Sequence, residues 1–345
     1  MAPSQYTPHR RRSGRSSRPE ASTAALRHHY DISNDFYALW LDEHLTYSCA
    51  LWDEDDKEDT LERAQIRKID YHIEQARAAR AEHVLDIGCG WGGTLNRLIR
   101  EHHVTRATGL NPSAAQTSWI RSRPIPGVDV RLESWRDHKP DKPYDAIICI
   151  GALEHFTHPG MSRAAKVRAY RHFFRHCHSW LRPGGRLSLQ FISWGPGVPV
   201  SVEAANRLGF ISTAIFPQSH LPFLSEVLQA GERLFNPLNL RSDGSHYQRT
   251  CEEWLTRLET RHSAAEALVG GDVVRTYRRY LKDSARSFAQ QWVHLNRLTL
   301  VAAPRVTWQA PTVLINQGSH LITTLHRAVS AVAGPHYGSA DVPRS

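Results

Sequence analysis

The sequence predicts an α/β chain in which helices cover both faces of a mostly parallel sheet. Three observations predict it. Short apolar runs alternate with helical patterns from residue 83 to residue 192. A glycine-rich turn closes the first run and opens a helix. No run is long enough to leave this rhythm: the longest of note, Ala146 to Leu153, has eight residues and contains Gly151. Strands that alternate with helices need crossover connections, and crossovers build parallel sheets.

The elements follow in order. Ile32, Phe36, Leu39 and Trp40 have helical spacing between Asp31 and Leu41. Thr60 opens a second helix, with Glu62 in its first turn, that runs through Ile66, Ile69 and Ile73 towards Ala81. His83 to Ile87 is the first strand, and Leu95, Leu98 and Ile99 mark the helix after it. Val104 to Leu110 is a second strand, and Asn111-Pro112 reads as an N-cap with proline at the first helical position. Val128 to Leu132, Tyr144 to Ile150 and Arg186 to Ile192 are further strands. A long helix from Met161 to Leu181 and a Pro183-Gly184-Gly185 turn separate the last two. Five prolines then interrupt residues 195–250. Helices resume at Cys251–Arg261 and Asp272–Trp292, Leu298 to Ala302 suits a last strand, and Leu321 to Val332 an accessory helix.

Composition bounds the reading. The 345 residues suit one or two domains, and 41% apolar with 22% charged residues is ordinary globular composition. That excludes a largely disordered, collagen-like or disulfide-stapled chain. No apolar stretch approaches the roughly 20 residues that span a bilayer, and the arginine-rich start does not read as a signal peptide. Six arginines against one glutamate over residues 1–28 give this arm five of the nine net charges. With its Ser, Pro and Gly it reads as a disordered, solvated tail that could touch an acidic carrier protein or an anionic membrane surface. The body is only mildly basic, which argues against a nucleic-acid partner. Cys49, Cys89, Cys149, Cys177 and Cys251 are widely spaced without a CxxC pair, which points to a reducing, cytoplasmic setting and no zinc site. His172, His176 and His178 read as a helix face, not a metal centre.

Residues 84–93, Val-Leu-Asp-Ile-Gly-Cys-Gly-Trp-Gly-Gly, carry the strongest signal. A strand that ends in such a turn lets a ligand approach the backbone closely. A nicotinamide site would place an acidic residue at the end of the next strand, but Leu110 and Asn111 stand there. The stretch Asp86 to Gly92 resembles the first motif of class I S-adenosylmethionine-dependent methyltransferases.

Five further stretches narrow the resemblance: His29-Tyr30-Asp31 with Asn34-Asp35-Phe36-Tyr37; Thr46-Tyr47-Ser48-Cys49-Ala50 with Trp52; Ile150 to His155; Phe216-Pro217 with Leu221-Pro222; and His246-Tyr247 with Thr250 and Trp254. In this order, over residues 28–303, they resemble the cyclopropane fatty acid synthase family, including the mycolic acid cyclopropane synthases. The resemblance implies a Rossmann-like class I methyltransferase fold with a mostly parallel seven-stranded sheet. It also implies N-terminal helices and a helical lid insertion. The layout expected is a tail over 1–26, a methyltransferase domain over 27–303 and a C-terminal extension over 304–345. Within the domain, 27–80 form a helical cap and 193–250 a substrate lid.

The same resemblance implies roles. Tyr47, Ser48, Asp86, Gly88, Gly90, Gln116, Trp135 and Ile150 match cofactor-site positions for S-adenosylmethionine. Cys49, Glu154, Ile192 and Tyr247 match positions that hold bicarbonate near the reacting carbon. Gln190 departs from the family, which usually has His there; Gln donates a hydrogen bond but carries neither proton nor charge. The implied reaction methylates an alkene carbon, leaves a carbocation on its neighbour and removes a proton. The product is a cyclopropane or a methyl branch on a lipid or carrier-bound acyl chain. Aromatic faces stabilise such a cation, and Trp40, Tyr47, Trp52, Phe191, Trp194, Phe210 and Tyr247 are candidate liners. The alternative substrate is a small unsaturated or aromatic molecule of specialised metabolism, towards which Gln190 leans.

Overall fold

The computed structural model describes residues 33–195 and 201–305. All of these up to residue 304 fall in one compact unit. The basic tail over 1–26, most of the extension over 304–345 and the helix expected at 321–332 lie outside the described residues.

Seven strands form one sheet: β1 (His83–Ile87), β2 (Arg106–Leu110), β3 (Val128–Arg131), β4 (Tyr144–Ile150), β5 (Leu181–Trp194), β6 (Phe235–Ser242) and β7 (Val293–Ala302). Their spatial order is β3-β2-β1-β4-β5-β7-β6. β1 to β5 pair in parallel, and β7 inserts antiparallel between β5 and β6. The order therefore reverses between β1 and β4, and the crevice at the carboxyl ends of these strands is where open α/β sheets place a ligand.

Among the described residues, ten α-helices surround it: α1 (Asn34–Ala38), α2 (Leu61–Gln75), α3 (Gly93–Arg100), α4 (Ala114–Arg121), α5 (Arg163–Trp180), α6 (Val202–Phe210), α7 (Leu224–Gly231), α8 (Gly244–Thr260), α9 (His262–Val269) and α10 (Gly271–Ala289). One core lies between the sheet and α5 with α7, where Leu85, Ile147 and Leu187 meet Tyr170, Phe173 and Cys177. The opposite face packs Val84, Ala107, Ala146 and Ile148 on Ile69 and Ile73 of α2 and Leu95 and Leu98 of α3. A third core is aromatic. Phe36 and Tyr37 of α1, with Trp40 just after it, meet Trp254 of α8 and Tyr277 of α10, with ring centroids 5.1 to 6.1 Å apart along the cluster. A five-residue helix is not stable alone. Burial of each large aromatic is worth about 1.5–3 kcal/mol, so packing, not propensity, fixes α1.

Several boundaries differ from the sequence reading. α2 does begin on Thr60, whose hydroxyl accepts the Arg63 N–H, but it stops at Gln75 because Arg77 and Arg80 take positive φ. Asn111-Pro112 is not the start of α4. Ser113 caps that helix through the Gln116 N–H, and Asn111 is spent elsewhere. β5 starts at Leu181, directly after α5, with a register shift where the Pro183-Gly184-Gly185 turn bulges. Residues 193–250, expected as a lid, contain the edge strand β6 and the start of α8. Between β5 and β6 the described residues form α6, a π-turn over Ile211–Ile215, and α7. Pro237 fits β6 because an edge strand leaves one side without ladder bonds.

Candidate active site

The turn after β1 is built for close approach. Gly88, Gly90 and Gly92 all have positive φ. A Cβ on Gly88 would sit 2.9 Å from the Ala152 Cβ, whereas one on Gly90 would meet nothing within 4 Å and project into a cavity of about 170 Å³. Asn111, at the end of β2, organises this turn. Its Oδ1 accepts the Ser113 N–H, so its Nδ2 is the donor, reaching the Gly90 carbonyl at 2.8 Å and the Gln116 Oε1 at 3.0 Å. Gln116 therefore keeps its amide N–H groups for the cavity. Tyr47, Ser48, Asp86, Trp135 and Ile150 line the same space. Glycines open to a cavity, a buried carboxylate and amide donors fit the methionine part and the nucleoside of S-adenosylmethionine.

A second cavity of about 370 Å³, mostly apolar, shares Tyr47, Ser48, Gly151 and His155 with the first. Its walls include Phe191 and Trp194 of β5, Leu208 of α6, Ile211 of the π-turn, Tyr247 of α8, and Tyr280 and Phe288 of α10. Gly151, with φ of 67°, ends β4 and turns the chain into a short 3-10 helix, Leu153–His155. That helix places Glu154 on the cavity wall. The Glu154 Oε1 accepts the Ile192 N–H at 2.7 Å, while Oε2 is buried without a partner. Burial pushes its carboxyl up to about 7. His155 beside it is half-buried, and desolvation pushes its imidazole down to about 4, so it is neutral at pH 7.

Gln190 also lines this cavity, and its amide is oriented from behind. Arg297 of β7, fully buried, donates from Nε to Gln190 Oε1 at 2.9 Å, and His72 Nε2 lies 3.3 Å from the same oxygen. An arginine nitrogen only donates, so the bonded atom is the oxygen and the amide N–H2 is left for the cavity. Arg297 in turn pairs with Asp243 and donates to the Ala50 carbonyl at 3.0 Å. The Gln190 amide is thus backed by the positive charge of Arg297. Arg297 was missed because a lone arginine in an apolar strand gives no motif.

All eight residues expected at the cofactor line the smaller cavity. Glu154, Gln190, Ile192 and Tyr247 line the larger one, and Cys49 does not. Cys49 is buried behind the wall, its thiol donating to the Ala50 carbonyl at 3.1 Å and pushed up to about 11 by burial. The Ile192 N–H is already spent on Glu154, so that residue reaches the cavity only with its side chain. Of the seven candidate aromatic liners, Tyr47, Phe191, Trp194 and Tyr247 face the larger cavity. Trp40 and Trp52 are core residues, and Phe210 packs on that core. Tyr280, Ser284, Ser287 and Phe288 were not anticipated, although their spacing marks one face of α10.

The family model described as mycolic acid cyclopropane synthetase matches residues 17–298. Cyclopropane mycolic acid synthase 3 of Mycobacterium tuberculosis is 34% identical over 286 residues, covering 79% of this chain and 94% of that protein. The structure of the cyclopropane synthase MmaA2 from the same organism superposes with a TM-score of 0.74 at 32% identity, over 82% of this chain and 99% of that one. The mycolic acid cyclopropane synthase CmaA1, solved with SAH and CTAB, also gives 0.74, at 31% identity and with the same coverage. A match over most of the chain, in sequence and in fold, makes this chain a member of the mycolic acid cyclopropane synthetase family and an S-adenosylmethionine-dependent methyltransferase.

Proposed function

We propose that the chain is a C-methyltransferase of the cyclopropane synthase type, acting on an alkene in a lipid or carrier-bound acyl chain. One observation carries the reading. A mostly apolar cavity with aromatic walls joins the cofactor cavity at Tyr47, Ser48, Gly151 and His155, and a buried carboxylate oxygen without a partner stands in it. The relatives named above as cyclopropane synthases support it.

The cofactor supplies an activated methyl group. The chain's own residues do the rest. The apolar walls exclude water, which would trap a cation. Phe191, Trp194, Phe216 and Tyr247 offer ring faces to a developing positive charge. Glu154, pushed up to about 7 by burial, is matched to taking a proton near neutral pH at its free Oε2. Bicarbonate fits the same corner: it donates to Glu154 Oε2 and accepts from the Gln190 amide, the two unmet needs there. Cys49 then acts from behind as part of the wall.

The test separates chemistry from binding. Glu154→Gln abolishes turnover while S-adenosylhomocysteine affinity, measured by calorimetry, stays unchanged. Near-normal turnover in that variant overturns the role assigned to Glu154.

A further inference from the structure

The wall that α10 gives to the larger cavity is not apolar throughout. Tyr280, Ser284, Ser287 and Phe288 face it, at the spacing of one helix stripe. Between the two rings stand two hydroxyls, with Ser284 7% and Ser287 1% exposed. Phe288 stacks on Tyr247 with ring centroids 4.6 Å apart, and Tyr280 packs edge-on against Phe216 at 5.8 Å.

A serine or threonine inside a helix can satisfy its hydroxyl by donating to the carbonyl four residues back. On α10, Thr276 donates in this way to the Asp272 carbonyl at 2.9 Å, and Ser287 to the Asp283 carbonyl at 2.7 Å. Ser284 does not, and it has no hydrogen bond among the described residues. Two other serines of the cavity are spent. Ser219 is bonded to His155 at 2.7 Å, and Ser212 donates to the Gly209 carbonyl at 3.0 Å. A buried hydroxyl without a partner carries a desolvation penalty that a ligand atom can relieve.

The two hydroxyls have opposite capacities. Ser287 has committed its proton to the Asp283 carbonyl, so towards the cavity its oxygen accepts. Ser284 still has its proton to donate. Three residues apart on a helix, they are neighbours on one face. A single ligand group that accepts from one and donates to the other is a hydroxyl. A methylene does neither, and a carbonyl or ether oxygen answers only Ser284. The wall is also held in place beside them: Asp283 pairs with Arg207 of α6 and lies 3.4 Å from Arg279, which ties α6 to α10 at this level.

We infer that Ser284 and Ser287 form a hydroxyl subsite, and that the preferred substrate is an unsaturated chain with a hydroxyl at a fixed distance from its double bond. The serines take no part in the chemistry. They set the register of the chain, and so decide which double bond comes to lie beside Glu154. The inference rests on the reading of this cavity as the acyl site.

Displacement of a fluorescent fatty acid from the full chain, with S-adenosylhomocysteine present, tests it by comparing stearate with its positional hydroxystearate isomers. One isomer, or two adjacent ones, binds at least about tenfold more tightly than stearate. Ser284→Ala brings that ratio to within about twofold of one. A parent protein for which no isomer binds more tightly than stearate overturns the inference, since the serines then hold only water. A preference that survives intact in Ser284→Ala overturns it too. The first comparison needs no variant, so a misfolded Ser284→Ala does not rescue it. A parent that binds neither the fluorescent probe nor any of these chains overturns the acyl reading of the cavity, and the inference with it.

Discussion

Glu154 is held where it costs stability. Its carboxyl is raised to about 7 in the fold, above its ordinary value of 4.5. A raised carboxyl stabilises the fold only below its unfolded value, and that contribution is lost as pH rises to about 7. Gln keeps the acceptor for the Ile192 N–H and carries no charge to bury. Glu154→Gln is therefore expected to be more stable than the parent at pH 8, by about 1–3 kcal/mol, with the difference vanishing near pH 4.5. Thermal melts at both pH values read this directly, and a variant less stable at pH 8 refutes the burial argument. Gly90 is the converse case. A Cβ there meets open space, but φ of 53° and the cavity beyond it disfavour a side chain. Gly90→Val lowers S-adenosylhomocysteine affinity by at least about tenfold, through occlusion and backbone strain. Unchanged affinity would move the cofactor elsewhere.

At the scale of elements, the aromatic core connects the N-terminal cap to the site. Trp254 of α8 touches the rings of Trp40, Tyr47 and Tyr247 at 5.7, 5.4 and 6.1 Å. Tyr47 lies where the two cavities meet, so the packing of α8 positions a residue of both. Trp254→Ala is expected to cost about 3–5 kcal/mol of stability and to weaken cofactor binding, measured by denaturant melts and calorimetry together. Six strands, the last read short as Leu298 to Ala302, and the glycine turn were legible in the sequence because period and punctuation are local. β6 was not, because its exposed residues and Pro237 do not read as a strand; only pairing with β7 makes it one. The residues that line the smaller cavity were legible through motifs. Arg297 and His72 were not, since a buried polar side chain is recognised only by what surrounds it in space.

For the whole molecule, the charge of the arm and the apolar cavity belong to different stretches of the sequence. Five of the nine net charges lie in residues 1–28, while both cavities are built within residues 44–295. Removing residues 1–26 is therefore expected to leave activity on a detergent-dispersed substrate within about twofold; a large loss would make the arm part of the site. Among the described residues no helix is long and apolar enough to cross a membrane. The reading of the molecule stands or falls on what gains carbon. The most direct measurement is intact-mass analysis of a reaction containing S-adenosylmethionine, the purified protein and monounsaturated phospholipid or acyl-carrier substrates. The account predicts a mass gain of one CH2 unit on the unsaturated acyl chain, and no gain on its saturated counterpart. A protein that binds S-adenosylhomocysteine yet leaves every unsaturated acyl chain unchanged, or methylates only a small non-acyl molecule, contradicts it.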